Sequence, residues 1–215
     1  MSAASLGSAT PRREVVVVAT GVANTASMVA ALRRAGATAL VTADRDAIAR
    51  AQRLVLPGVG AFGTAACALG ATGSADVLRA RVRAGVPFLA ICLGMQLCFE
   101  ASDEHDGVAG LSLFRGRAVR LDATAARVPK LGWDRIDADP SCEVVRSEFV
   151  CFAHSFAIPQ PPPGWSVAWS SHGSRYVAAL ERRSQLLCQF HPELSGRSGR
   201  TLLERWLERS ELSPW

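Results

Sequence analysis

Lysine and long apolar runs are scarce in this chain of 215 residues. Lys130 is its only lysine, and no apolar run approaches the ~20 residues that a membrane-spanning helix needs. Residues 1–12 lack the charged start and the apolar stretch of a secretion signal, so we predict a disordered tail there and a cytoplasmic location. Residues 13–215 have the length and apolar content of one folded domain, and no membrane contact is expected.

Clusters of basic residues interleaved with aromatic residues are also missing. The formal net charge is +5, but the arginines lie singly or in pairs, as at Arg33-Arg34 and Arg182-Arg183. A groove that binds nucleic acid needs a continuous basic surface with aromatic side chains for base stacking. The charge therefore indicates an arginine-rich solvated surface, and we expect no nucleic-acid partner.

The six cysteines do not indicate a disulfide framework, because a chain this long and apolar can build a core without cross-links. Most are expected to be small buried hydrophobic residues, which leaves open which one is reactive. Two Cys-x-x-His pairs, Cys151 with His154 and Cys188 with His191, raise the alternative of a zinc site. Both pairs lie on strand-like segments, where residues three apart face opposite sides. We therefore predict no metal and no cofactor.

Apolar runs alternate with helical patterns in the first half of the chain. The predicted strands are 15–18, 38–41, 54–56 and 86–91. The predicted helices are one that begins at Asn24 or Thr25 and ends at Gly36, and those at 76–84 and 93–101. Continuous runs of β-branched residues are typical of strands buried on both faces of a parallel sheet.

The second half of the chain changes character. The predicted strands there are 117–121, 133–136, 149–152, 165–170, 176–180 and 186–190, followed by an amphipathic helix at 198–209. The whole pattern predicts a single doubly wound α/β domain, whose mostly parallel sheet is flanked by helices and gains antiparallel strands in its later half. Because such sheets bind ligands beyond the carboxyl ends of their strands, residues just after each strand are candidates for function.

Cys92 directly follows the predicted strand that ends at Ile91, and Leu93 and Gly94 begin a helix after it. A thiol on such a turn is exposed at the top of the sheet, near the positive end of a helix dipole that favours the thiolate. The N–H of Leu93 is placed to stabilise an oxyanion. A lone cysteine is more often a buried structural residue, but this context favours a nucleophile.

His191 follows the predicted strand 186–190, so its ring is expected at the same sheet edge as Cys92, where it can act as the base. Pro192 favours an extended conformation at His191. In an extended segment Glu193 projects to the same side as His191, and we expect it to bond to the ring and fix its tautomer. The alternative is a surface His-Pro-Glu turn.

The loop Pro57-Gly58-Val59-Gly60 follows the predicted strand 54–56. Its glycines allow close backbone approach, so it is the expected source of a second oxyanion donor. A plain turn would have the same composition.

Taken together, these segments resemble the class I (triad) glutamine amidotransferases, and within them the glutaminase subunits of imidazole glycerol phosphate synthases. The matching segments are Leu56-Pro57-Gly58-Val59-Gly60-Ala61-Phe62-Gly63, Ile91-Cys92-Leu93-Gly94-Met95-Gln96, Gly132-Trp133, His154-Ser155 and Gln189-Phe190-His191-Pro192-Glu193. Their order and spacing fit the family across nearly all of the chain after residue 12.

The resemblance implies that Cys92, activated by His191 and Glu193, attacks the side-chain amide of L-glutamine and forms a glutamyl thioester. It implies oxyanion donors from Leu93, Val59 and Gly60. It assigns substrate binding to Gly58, Gln96, His154, Ser155 and Phe156. Ammonia would pass to a (β/α)8-barrel cyclase in a heterodimer, which makes imidazole glycerol phosphate and aminoimidazole carboxamide ribonucleotide in histidine biosynthesis. The residues expected at that interface are Asn24, Lys130, Gly132 and Trp133.

Several positions depart from the family pattern. The family's Pro-His-Met-Gly-Trp-Asn is Pro129-Lys130-Leu131-Gly132-Trp133-Asp134 here, and its Asp-Tyr-Gly-x-Gly-Asn is Ala19-Thr20-Gly21-Val22-Ala23-Asn24. Phe156 replaces a tyrosine, Leu194 a lysine and Ala90 a glycine. Because several changes fall in motifs that the family uses at the cyclase face, the resemblance supports glutaminase chemistry more strongly than partner identity.

Two alternatives stay open at this point. The chain could be the glutaminase of another synthase, such as those for anthranilate, GMP or pyridoxal phosphate. The pyridoxal branch expects Gly-Gly-Glu-Ser where this chain has Pro57-Gly58-Val59-Gly60. The chain could also be a binding or regulatory subunit that keeps the fold without turnover.

Overall fold

The structure, a computed structural model, describes residues 13–21 and 25–212. The predicted tail and Asn24 lie outside the described residues, and the division into a tail and one domain stays a prediction. The helices are α1 (Thr25–Arg34), α2 (Arg45–Arg50), α3 (Phe62–Ala71), α4 (Ser74–Arg83), α5 (Leu93–Leu97) and α6 (Gly196–Leu212), with a 3-10 turn at Pro192–Leu194. Within these ranges, no helix has the length and apolar character needed to cross a membrane.

Thirteen strands are found in the described residues. They are β1 (Arg13–Val18), β2 (Ala37–Thr42), β3 (Leu54–Leu56), β4 (Phe88–Ile91), β5 (Phe99–Ser102), β6 (Phe114–Arg120), β7 (Lys130–Arg135), β8 (Asp137–Ala138), β9 (Phe149–His154), β10 (Phe156–Ala157), β11 (Ser166–His172), β12 (Ser174–Arg182) and β13 (Gln185–Cys188).

Eight of these strands form the main sheet, in the order β2-β1-β3-β4-β13-β12-β11-β8. The first five are parallel and the last three pair antiparallel. The order turns back at β1, as in other doubly wound sheets. The predicted fold class, a mostly parallel sheet with antiparallel strands from the second half, is confirmed.

The main sheet is packed on both faces. Alternate residues of β3 and β4 point to opposite sides. Val55 and Leu89 belong to one apolar cluster, together with residues of α1 and α6. Leu54, Leu56 and Phe88 belong to a second cluster with residues of α2, α3 and α4. This two-sided burial explains why these strands are apolar without alternation.

A separate antiparallel ribbon of β7 and β9, which we call the β7–β9 ribbon, lies beside the carboxyl ends of β4 and β13. Two hydrogen bonds join the ribbon to the segment after β13. The N–H of His191 donates to the carbonyl of Cys151 (2.9 Å), and the N–H of Cys151 donates to Oγ of Ser195 (2.9 Å). The ribbon is thereby held over the sheet edge where ligands are expected.

The predicted helix at 93–101 is wrong in its second half. α5 ends at Leu97, and the following residues form β5, which pairs with β6 at Phe99 and Phe114. Residues 93–99 are all buried, so the spacing of their apolar residues does not distinguish a helix from a strand. Pairing with β6 makes the residues after Leu97 a strand. α2 and α3 correspond to no predicted element.

Candidate active site

The topology brings Cys92 and His191 to the same edge of the sheet. β4 and β13 are parallel neighbours, with Ile91 opposite Cys188, and the N–H of Cys92 donates to the carbonyl of Cys188 (2.7 Å). Cys92 is the first residue after β4, and His191 follows the end of β13 by three residues. Two residues far apart in sequence therefore end up side by side.

The turn at Cys92 has an unusual backbone conformation. Cys92 has φ 51° and ψ −108°, a positive φ that non-glycine residues rarely adopt. A Cβ on Gly94 would lie 2.0 Å from the carbonyl oxygen of Leu56, so only glycine lets α5 approach β3 this closely. Ala90, where the family has glycine, is fully buried in the core. Packing between β3 and α5 thus holds the turn at Cys92 in a strained state.

His191 lies between Glu193 and Cys92. Its Nδ1 is 2.8 Å from Oε1 of Glu193, and the ring also shares a hydrogen bond with the sulfur of Cys92. The exposed fractions of the His191 and Glu193 side chains are 3% and 9%. The sequence predicted this pairing through an extended segment, but a 3-10 turn that begins at Pro192 places Glu193 under the ring.

The electrostatics of this group favour a protonated imidazole. Burial alone would lower the pKa of His191, but hydrogen bonds to Cys92 and Glu193, together with their negative charges, raise it to about 10. A protonated ring beside the sulfur stabilises a thiolate, which is the nucleophilic form of cysteine. The arrangement can therefore attack an electrophilic carbon and then supply a proton to a leaving group.

A cavity of about 340 Å³ opens onto the Cys92 sulfur. We call one side the parallel wall, since it follows β3, β4 and β13; its residues are Val59, Gly60, Cys92, Leu93, Gln96 and His191. The other side, the ribbon wall, comes from the β7–β9 ribbon and the start of β10; its residues are Pro129, Leu131, Ala153, His154, Ser155 and Phe156. Glu104, which follows β5, completes the lining.

The predicted oxyanion donors are not all free in this conformation. The N–H of Leu93 donates to the carbonyl of Gly58 at 3.3 Å, so the expected donor is occupied by the loop that was expected to assist it. Gly58 itself does not line the cavity; a Cβ there would lie 2.5 Å from the nitrogen of Gly94, so this glycine serves close packing. Val59 and Gly60 do line the cavity, as predicted for that loop.

Gln96 and the His154–Phe156 segment meet across the cavity. Nε2 of Gln96 donates to the carbonyl of Phe156 (2.8 Å), and Nδ1 of His154 lies 3.0 Å from the same oxygen. Burial, with a further contribution from the charge of Lys130, lowers the pKa of His154 to about 3, so its ring is neutral. A neutral ring can donate through Nδ1 to this carbonyl. The segment predicted to bind substrate is thus fixed to the helix that follows Cys92.

Comparisons with known proteins give the same assignment as this geometry. The family described as glutamine amidotransferase class-I matches residues 16–209. The chain belongs to the class I glutamine amidotransferases.

Its relatives agree with this assignment. The imidazole glycerol phosphate synthase subunit HisH of Leifsonia xyli is 39% identical over 91% of this chain and 98% of its own. The protein of the same name from Geobacillus thermodenitrificans is 37% identical over 89% of this chain and 93% of its own. A solved glutamine amidotransferase has the same fold, with a TM-score of 0.74 at 19% identity over 91% of this chain and 98% of its own.

Two polar residues correspond to no predicted site residue: Glu104, which lines the pocket of this amidotransferase, and Gln189, which is buried beside Cys92. Oε2 of Glu104 accepts a hydrogen bond from the N–H of Phe62 (2.8 Å) at the pocket wall. Nε2 of Gln189 lies 3.6 Å from the sulfur of Cys92. The sequence offered a signal for Gln189, which stands two residues before His191, but none for Glu104 in its polar loop.

The interface expected for the amidotransferase needs one correction. Lys130 does not face outward: it is 5% exposed, and its Nζ bonds Oδ2 of Asp134 (2.5 Å), Oγ of Ser170 (3.1 Å) and the carbonyl of Ser171 (3.0 Å). These three acceptors offset the cost of burying the ammonium group. Gly132 has φ 110° in the same strand, and Trp133 next to it is 58% exposed.

The two Cys-x-x-His pairs do not join a larger donor set. Among residues 13–21 and 25–212, no group of three or more His, Cys, Asp or Glu side chains could hold a metal ion. Cys188 is fully buried in β13, and burial raises the pKa of its thiol well above the ordinary value. His191 is engaged by Glu193 and Cys92 instead.

Proposed function

We propose that this chain is the glutaminase subunit of an imidazole glycerol phosphate synthase, which hydrolyses L-glutamine to glutamate and ammonia. The observation that carries the chemistry is the contact of His191 with both Cys92 and Glu193, with Cys92 and His191 lining one cavity. The names of the HisH relatives, 36–39% identical over about nine-tenths of the chain, support the choice of synthase.

The proposed reaction uses the triad in two stages. The Cys92 thiolate attacks the side-chain amide carbon of glutamine, and the protonated ring of His191 gives its proton to the departing nitrogen, which leaves as ammonia. A glutamyl thioester remains on Cys92. His191, now neutral, takes a proton from water as the water attacks the thioester, and glutamate leaves while the thiolate is restored. Glu193 stabilises the protonated ring and fixes its tautomer throughout.

The cavity suits the head of glutamine as well as its amide. Glu104 contributes a carboxylate to the lining, and an α-ammonium is the part of glutamine that such a group attracts. Gln96 and the His154-Ser155-Phe156 segment line the same cavity. We therefore assign substrate binding to these residues and to Glu104.

The hydrogen bond from Leu93 to Gly58 favours low activity in the isolated chain. An oxyanion hole needs donors aimed at the developing charge, and removing one donor costs on the order of 100-fold in rate. Here the donor is satisfied by a loop carbonyl. Reorientation of the Gly58-Val59 peptide would free the N–H of Leu93 and point the N–H of Val59 toward the oxyanion. We propose that binding of the partner causes this reorientation.

The proposed partner is a (β/α)8-barrel cyclase that takes up the ammonia and forms imidazole glycerol phosphate and aminoimidazole carboxamide ribonucleotide. An Arabidopsis protein named imidazole glycerol phosphate synthase hisHF matches this chain over 35% of its own length, which supports a neighbouring partner region. Exposed apolar side chains beside the cavity, Leu131 (71% exposed), Trp133 and Leu194, suit a protein contact. The cytoplasmic location stays a prediction.

The test is to mix the purified chain with a cyclase subunit and measure glutamate release, with and without the cyclase substrate. We expect low activity alone, strong stimulation in the loaded complex, and none for Cys92→Ala. Cys98→Ala is the matched control, because Cys98 is also buried and lies six residues further on. Wild-type activity in Cys92→Ala would refute the nucleophile, whereas no hydrolysis with any cyclase would favour a non-catalytic subunit.

A further inference from the structure

The sulfur of Cys92 has two neighbours outside the triad, Ala153 and Gln189. Besides the ring of His191, Sγ lies 3.8 Å from the carbonyl of Ala153 and 3.6 Å from Nε2 of Gln189. The carbonyl can only accept a hydrogen bond, and the amide nitrogen of Gln189 can only donate one. Gln189 therefore supplies a neutral N–H to the sulfur.

The backbone of Gln189 is held by the main sheet. Its N–H donates to the carbonyl of Ala178 on β12 (2.8 Å), and its side chain is fully buried. Gln189 and His191 are two residues apart in the segment after β13, and both contact the sulfur of Cys92. The same short segment thus delivers two donors to one atom.

A fixed acceptor sets the orientation of the Gln189 amide. The carbonyl of Phe156 can only accept, so the group of Gln96 that lies 2.8 Å from it must be the NH2. That NH2 has a second hydrogen, and Oε1 of Gln189 lies 3.2 Å away to accept it. With Oε1 turned to Gln96, Nε2 of Gln189 is left facing the sulfur. A flipped Gln189 would set two NH2 groups against each other and an oxygen against a thiolate.

We propose that Gln189 is a positioning residue for the nucleophile, whose amide is oriented by Gln96 and the Phe156 carbonyl and donates to Sγ of Cys92. This inference rests on the proposed function, in which Cys92 attacks glutamine. The donated hydrogen bond stabilises the thiolate and fixes the direction of the sulfur without adding a charge. It also links the sulfur to the wall that would hold the head of the substrate.

The experiment measures the rate at which iodoacetamide alkylates Cys92, followed by mass spectrometry of that peptide between about pH 5 and about pH 9. Gln189→Glu keeps the shape of the side chain and the oxygen that accepts from Gln96. It replaces the NH2 group that donates to Sγ of Cys92 with a carboxylate oxygen. We expect its pH midpoint for alkylation to move upward and its rate at neutral pH to fall about tenfold or more, because the thiolate is disfavoured. Gln189→Met removes the amide without a charge, and we expect a fall of about threefold to tenfold.

Gln185→Met is the matched control. Gln185 is a buried glutamine at the start of β13, the strand that precedes Gln189, and its Nε2 donates to the carbonyl of Val82 (2.6 Å), away from Cys92. The melting temperature of Gln185→Met is expected to fall about as much as that of Gln189→Met. The pH profile of Cys92 alkylation in Gln185→Met should match that of the wild type. Equal profile shifts in Gln185→Met and Gln189→Met would show a merely structural effect and overturn the proposal. An unchanged profile in both Gln189 variants would do the same.

Glutaminase kinetics separate this inference from the proposed function. In complex with the cyclase, we expect Gln189→Met to lower kcat about tenfold with little change in KM, since the amide acts on the sulfur. If the wild type shows no glutaminase activity while the alkylation profiles shift as expected, the proposed function fails and the role of Gln189 stands. If the wild type is active and the Gln189 variants match it in kcat and in alkylation, only the role of Gln189 fails.

Discussion

The two walls of the cavity are held in place by different means. The parallel wall is fixed by backbone packing: Cys92 keeps a positive φ, and Gly58 and Gly94 leave no room for a side chain. The ribbon wall is held by two hydrogen bonds between Cys151 and the segment after β13 and by a side-chain network of the buried Lys130 with Asp134 and Ser170. The residues of the parallel wall that line the cavity all lie in matching family segments, whereas Leu131 and Phe156 of the ribbon wall depart from the family pattern. Close backbone packing tolerates few amino acids at a position, whereas a polar side-chain network can be built from several combinations of residues.

The largest effect is expected from Gly94→Ala, which tests whether the parallel wall depends on backbone contact. Its Cβ would meet the Leu56 carbonyl oxygen at 2.0 Å, so α5 must move away from β3. We expect a loss of about 3 kcal/mol in the free energy of unfolding and no measurable glutaminase activity. Gly70→Ala in α3, where nothing lies within 4 Å, should instead stabilise by about 0.5 kcal/mol. Denaturant unfolding checks both; a stable, active Gly94→Ala would show that the turn tolerates displacement.

The next effect is expected from Glu193→Gln, which removes the charge that pairs with His191 of the parallel wall and leaves the backbone intact. Activity should fall on the order of 100-fold or more, since the protonated ring loses its counter-charge. The pKa of His191, about 10 in the wild type, should fall and can be followed by NMR. A raised pKa means that the charged ring stabilises the fold fully below about pH 6.5, and that this contribution disappears as the pH rises toward 10.

Glu193→Gln should therefore be less stable than the wild type at about pH 6, with the difference shrinking as the solution becomes alkaline. Chemical denaturation at several pH values measures this. A difference that grows with pH would contradict the charged-ring assignment.

More of the parallel wall than of the ribbon wall could be predicted from sequence, although the family resemblance named His154, Ser155 and Phe156, which do line the cavity. The strand at Leu54–Leu56 has its predicted bounds, and Cys92 stands at the predicted turn, because local apolar runs and glycines set both. The inward turn of Lys130 depends on Ser170 and Ser171, some forty residues away. The bond of Gln189 to Cys92 and the blocked N–H of Leu93 likewise depend on contacts that no local pattern records.

A third prediction tests the side-chain network of the ribbon wall with Lys130→Met. Oγ of Ser170 would lose its buried partner, and we expect destabilisation by about 2 kcal/mol. Lys130 pairs with His154 in the ribbon register, so the cavity wall should loosen and KM for glutamine should rise about tenfold. Lys130→His with Asp134→Asn restores the family's pair at both positions. Recovery of KM in that double variant, absent from either single change, would show that the two sites act as a unit.

The pH dependence of Lys130→Met gives an independent check. Burial alone would raise the pKa of Asp134, but the hydrogen bond and charge of Lys130 and the N–H of Arg135 lower it. A lowered pKa contributes stability above the unfolded value of about 3.9 that is lost as the pH falls below it. The stability gap between the wild type and Lys130→Met should therefore narrow in acid. A constant gap would assign the loss to packing alone.

The smallest effect on the isolated chain is expected from Trp133→Ala, at the outer surface of the ribbon. Trp133 is 58% exposed, and its ring lies over Gly196 at the start of α6, so its removal should change unfolding by no more than about 0.5 kcal/mol. Binding of the cyclase should weaken about tenfold or more, as for other aromatic residues at interfaces. Leu40→Ala is the control, because Leu40 is 54% exposed on the edge strand β2. Equal binding losses in the two variants, measured by calorimetry, would argue against a contact specific to the ribbon. A loss confined to Trp133→Ala would assign partner contact to the outer surface of the β7–β9 ribbon.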